Sequence, residues 1–156
     1  VSESVQEQRA CNMPTLSRYF IRSALVYLGI GFTFGGLILS AKAGFVDLRV
    51  WTWLPMHIVL LIDGWLIQLT LGVAYWILPR IHLHERGRQS WAWASFIALQ
   101  TGLMLTLITA LSVWLPAIQA LFAPAVILQA VGVILFAVHA WPRIRPAMVR
   151  AAISSR

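Results

Sequence analysis

Four stretches of the chain, about Tyr19–Ala41, Leu54–Leu78, Trp91–Trp114 and Ala117–Trp141, are apolar almost throughout. A helix rises about 1.5 Å per residue, so roughly 20 such residues cross a hydrocarbon core about 30 Å thick. Each stretch is therefore long enough to span a bilayer. With 60% hydrophobic and 11% charged residues and a mean hydropathy of +0.79, the chain lies outside the range of soluble domains. The stretches lack the alternation of lipid-facing and lumen-facing residues that a transmembrane β-barrel requires. The fold class that follows is an all-α integral membrane protein with four transmembrane helices, divided into a polar tail (1–18), a four-helix domain (19–141) and a basic tail (142–156).

Charge sets the orientation. The net charge is +7. Arg9, Arg18 and Arg22 precede or enter the first stretch, Arg80, Arg86 and Arg88 lie between the second and third, and Arg143, Arg145, Arg150 and Arg156 end the chain. Lys42 and Arg49 alone occupy the opposite side. Basic residues collect on the cytoplasmic side of bacterial inner-membrane proteins, so both termini are expected in the cytoplasm. This placement accounts for the basic balance through topology and anionic lipid headgroups, with no need for nucleic acid. The first stretch follows a polar tail and has no small-residue cleavage site behind it, so it is expected to remain as an anchor. Cys11 is the single cysteine, which excludes an intrachain disulfide and a paired-thiolate metal site.

The polar residues inside the spans carry the functional argument. An unpaired aspartate near a helix centre costs about 2.5 to 3.5 kcal/mol on insertion scales, so Asp63 is expected to meet a partner or to stay protonated. No basic residue of the chain shares its predicted depth. In the first span "GFTFGG" places Gly31, Gly35 and Gly36 on a flat face that admits another helix. In the second span His57, Gly64, Gln68, Gly72 and Tyr75 fall on one side at 100° per residue, which is expected to face protein. Asp63 and Thr70 project elsewhere.

His57 invites a haem reading, because membrane b-type haems are held by imidazoles from facing helices. The other histidines sit at the opposite membrane face: His82 and His84 in the loop and His139 at the end of the fourth span. Met104 is the nearest alternative ligand in depth. "HLHERGR" carries a metal-like His-x-His spacing beside Glu85, but arginines surround it. No nucleophile motif, phosphate loop or carboxylate pair occurs. The tryptophans at span ends suit an interfacial belt, and the short apolar loop with Pro116 and Pro124 makes the last two spans an antiparallel hairpin.

The segment "HIVLLIDGWLIQLTLGVAYWILP" is similar to a helix of subunit I of haem–copper oxidases and nitric-oxide reductases, in which H-x-H-x(4)-G-[GW] supplies haem ligands. His57, Gly64, Trp65, Gly72, Tyr75, Trp76 and Pro79 match, while Val59 replaces the second histidine and Asp63 a neutral residue. The first span resembles the family more loosely, and the last two carry no matching motif. The resemblance implies a small, degenerate relative. Its expected role is a non-catalytic accessory subunit of a respiratory or photosynthetic electron-transfer complex in the bacterial inner membrane, quinol-oxidising or oxidase in type; alternative complex III is one such assembly. Its partners would be other membrane subunits and lipids, and it would hold no cofactor of its own. Asp63, Gly31, Gly35 and Gly36 would form the partner contact. The alternative is a subunit in which His57, with Gln68 and Tyr75, contributes to a haem b or quinone site shared with a neighbour.

Overall fold

The computed structural model describes residues 13–78, 89–112 and 115–144. Helix α1 (Thr15–Lys42) forms the first span. The second comprises a 3₁₀ turn (Leu48–Trp53), α2 (Leu54–Val59), a π-helical segment (Leu60–Ile67) and α3 (Gln68–Ile77). The third is α4 (Gln89–Leu111), and the fourth joins the short α5 (Pro116–Gln119) to α6 (Phe122–Ile144). All four are long and apolar enough to cross a membrane, and no strand occurs among the described residues.

Local chemistry places the ends. After α1 the chain turns at Gly44, whose φ of 83° favours a residue without Cβ. There the Gly44 N–H donates to the Ala41 carbonyl at 3.1 Å and the Phe45 N–H to that of Ser40 at 3.0 Å, the paired bonds of a Schellman stop. The Asp47 carboxylate accepts the Arg49 N–H at 2.9 Å and caps the 3₁₀ turn. Pro55 and Pro116 stand in the first turns of α2 and α5, where a missing N–H costs nothing.

The spans pair as two antiparallel hairpins, first with second and third with fourth. At one end all four meet in a cluster of Leu16, Phe20, Tyr75, Ala92, Leu99, Phe136 and Ala140. This is the end that the charge argument expects to face the cytoplasm, called inner below. Toward the middle the first three spans share Tyr27, Met56, Leu60 and Leu103. At the outer end Ile38, Ala41 and Val50 close the first hairpin, and Trp53 packs edge-on to Phe34 at 5.5 Å. Trp53 is thus part of the core, while Trp51 stays exposed.

Buried positions recur at alternating steps of three and four in the third span (Ala92, Ser95, Leu99, Gly102, Thr106, Thr109) and the fourth (Ala125, Gln129, Gly132, Phe136, His139, Arg143). That is the 3.5-residue repeat of closely paired helices. The second span steps by four instead: Met56, Leu60, Gly64, Gln68, Gly72. In an α-helix each such step would drift about 40° off the seam. The wider π turn, with roughly 4.4 residues per turn, removes the drift.

Candidate functional site

The side of the second span that carries His57, Gly64, Gln68, Gly72 and Tyr75 faces the first span, as its periodicity predicts. Gly64 lies under the Tyr27 ring and Gly72 under Phe20 and Ile21. Near the outer end the His57 ring rests against Gly35, and its Nδ1 lies 2.8 Å from the Gly31 carbonyl oxygen. A carbonyl only accepts, so Nδ1 donates this bond. Gly31 itself receives Leu60 and Leu61. The close approach allowed by Gly31 and Gly35 is therefore taken up by the chain's own second span. Gly36 has open space beside it and remains on the exposed surface. Of the three glycines expected to meet a partner, it alone is available to one.

Halfway along the seam, hydroxyl and amide groups of three spans converge. Tyr27 Oη donates to Gln100 Oε1 at 2.6 Å, and Gln100 Nε2 donates to Gln68 Oε1 at 3.3 Å. Ser23 Oγ lies 2.6 Å from the same Gln68 oxygen and 2.9 and 3.0 Å from the Tyr19 and Phe20 carbonyls. One hydroxyl hydrogen thus has three acceptors. Gln68 is fully buried, and its Nε2 has no hydrogen-bond partner among the described residues. Gln68 and Gln100 are both polar residues inside apolar spans. Their appearance in neighbouring spans at compatible depth is the signal that finds the cluster.

At the inner end Tyr75 is buried and stacks on His139 at 5.8 Å, with the Arg143 guanidinium 5.5 Å from its ring centre. Arg143 Nη2 donates to His139 Nε2 at 2.6 Å. His57, Gln68 and Tyr75 therefore occupy the outer, middle and inner parts of one seam, spread over about 25 Å by helical rise, and each meets different neighbours. They do not line a common pocket. Met104 is exposed rather than turned toward His57. Cys11, His82, His84 and Glu85 lie outside the described residues. Among those described, no three His, Cys, Asp or Glu side chains come together.

Asp63 differs from His57, Gln68 and Thr70 of the same span, each of which makes at least one hydrogen bond. It sits within the π segment, partly buried, with Ile62 and Leu66 exposed beside it. No hydrogen bond or ion pair reaches it from a described residue; the ion pair found among these residues joins Arg49 to Asp47 near the end of the first span, at 3.9 Å. The seam fixes its depth. Tyr27 lies on Gly64, which puts Asp63 level with the midpoint of Thr15–Lys42.

The chain matches no family model, no curated protein and no solved structure.

Proposed function

We propose that this chain is a non-catalytic accessory subunit of a respiratory or photosynthetic electron-transfer complex, quinol-oxidising or oxidase in type, in a bacterial inner membrane, with both termini cytoplasmic. The observation that carries a subunit role is Asp63, a mid-span acid without a partner among the described residues, on a surface of exposed Ile62 and Leu66. Leaving it unpaired costs about 2.5 to 3.5 kcal/mol, which a neighbouring membrane protein would offset. The chain's interior polar groups are spent on its own packing: Ser17 on Gly72, Ser95 on Gly132 and Gln129 on Thr106. The redox assignment rests on the likeness of residues 54–80 to the oxidase helix.

The test is isolation of the tagged chain from native membranes in mild detergent. Co-purification of a redox complex in fixed ratio is expected, and a reduced-minus-oxidised spectrum of the separated chain should lack a b-type band. A chain that purifies alone, or a stoichiometric band that vanishes in His57→Ala, would overturn the reading.

One observation favours the second reading, a haem or quinone shared with a neighbour. A histidine that donates Nδ1–H to a backbone carbonyl is oriented as metal-ligating histidines are, and His57 does so toward Gly31. A His57→Ala change that shifts the parent complex's haem spectrum, with this subunit still bound, would favour it over the accessory role.

A further inference from the structure

We propose that the helix covering the Asp63 surface belongs to a different protein and brings an arginine or lysine to that depth, so that an ion pair within the membrane joins the two chains. The proposal rests on the subunit reading above and adds the chemistry of the partner.

Depth excludes the described residues of the chain as the source of the cation. Asp63 is level with Leu28, at the middle of α1, because Tyr27 lies over Gly64 and Ser23 meets Gln68. Among the described residues Arg22 comes nearest, six positions inward on α1, or about 9 Å along the helix. Side chains tilt toward the N-terminus of their helix. Arg22 therefore leans toward the inner face and Asp63 toward the outer, which widens the gap. Lys42 and Arg49 lie at the opposite end of α1, and Arg143 is buried at the inner end of α6. Two copies of the chain inserted with the same orientation present these residues at the same depths. A second copy thus places none of its described cations at Asp63.

A carboxylate that is ionised with its partner bound selects a cation over a neutral group. An interhelical hydrogen bond to a neutral group recovers only part of what an ionised carboxylate loses on leaving water. A cation cancels the net charge of the pair and makes the charge-assisted bond, which is about twice as strong as a neutral one. Ile58, Ile62 and Leu66, exposed along the same helix, supply the apolar contact around it.

The experiment places a photo-crosslinking residue at Ile62 of the full-length chain in its native membranes and identifies the helix it captures. Retention of that partner is then measured for the wild type, Asp63→Glu, Asp63→Asn and Asp63→Lys, with the thermal unfolding of each variant in detergent recorded to confirm folding. The expected result is a captured helix with a basic residue within one turn of the crosslink, full retention by Asp63→Glu, and loss of about tenfold or more in Asp63→Asn. Asp63→Lys should release the partner, and replacing the captured helix's basic residue by Asp should restore it. Retention by Asp63→Asn equal to wild type, a captured helix without a basic residue, or capture of a second copy would each overturn the ion pair while leaving the subunit reading in place. A wild-type chain that captures no protein and purifies alone would remove both.

Discussion

The seam between the first two spans brings mainly side chains onto glycines, whereas the seam between the last two brings helix backbone close as well, behind the Gln129 and Leu99 side chains. A Cβ placed at Gly31 would meet Leu61 Cδ2 at 2.8 Å, and one at Gly35 would meet the His57 ring at 2.7 Å. At Gly102 it would lie 2.9 Å from the Ala125 carbonyl oxygen and 3.0 Å from the Gln129 nitrogen, and at Gly132 it would lie 3.1 Å from both the Leu99 nitrogen and the Ser95 oxygen. The end of a leucine can swing aside, but a helix backbone cannot move without dragging its neighbours. Both hairpins share one device, a serine hydroxyl donating to a glycine carbonyl across the seam: Ser17 to Gly72 at 2.6 Å and Ser95 to Gly132 at 2.7 Å. The difference teaches where this chain tolerates change. The first hairpin is adjustable and carries the groups of functional interest, and the second is a tight brace beside it.

Substitution at the glycines gives the largest contrast. Gly102→Ala and Gly132→Ala should each lower stability by about 2 to 3 kcal/mol, the upper range for forcing a methyl into a packed site, whereas Gly31→Ala should cost less than about 1 kcal/mol because Leu61 yields. Unfolding of the purified chain in mixed micelles measures all three. Equal losses would show that the two seams are alike in rigidity. The serines sharpen the comparison at a smaller scale: Ser17→Ala and Ser95→Ala should each cost about 0.6 to 1 kcal/mol, the worth of one interhelical bond. A distinctly larger loss at Ser95 would mean that the tight seam depends on the bond and not on shape. The smallest effect is expected at Gly36, where an added Cβ would meet nothing within 4 Å. Gly36→Leu should leave the isolated chain unchanged in the same assay, and lowered co-purification of a partner in that variant would mark the outward face of α1 as a docking surface.

Apolar run length was enough to read the spans. The stretches at Tyr19–Ala41, Leu54–Leu78, Trp91–Trp114 and Ala117–Trp141 correspond to spans at Thr15–Lys42, Leu48–Ile77, Gln89–Leu111 and Pro116–Arg143. Ends were less legible because helices continue past the hydrocarbon. The turn at Thr15–Arg18 is polar enough to look like tail, and a 3₁₀ turn precedes Leu54. The face of the second span was legible from its polar stripe. The identity of the neighbour that fills a glycine face was not, since Gly31 and Gly35 would read the same against a foreign helix as against His57 and Leu61. The third and fourth spans looked featureless because their message is in small residues at heptad spacing, Ser95, Gly102 and Thr106 against Gln129 and Gly132, rather than in any chemical motif. Asp63 stood out from the start, because charge in a membrane is costly wherever it points.

The π segment at Leu60–Ile67 gives the second span a tolerance to the loss of one residue that its neighbours lack. A π turn holds one residue more than the α-helix on either side requires. Losing a residue there lets the turn close as α-helix, with Met56 upstream and Gln68 and Gly72 downstream still on the seam. The same loss in the middle of α4 would rotate everything beyond it by about 100° and turn Thr106 and Thr109 out to lipid. The span that carries Asp63 is therefore the one in which the chain can shorten by a residue without disturbing the bundle.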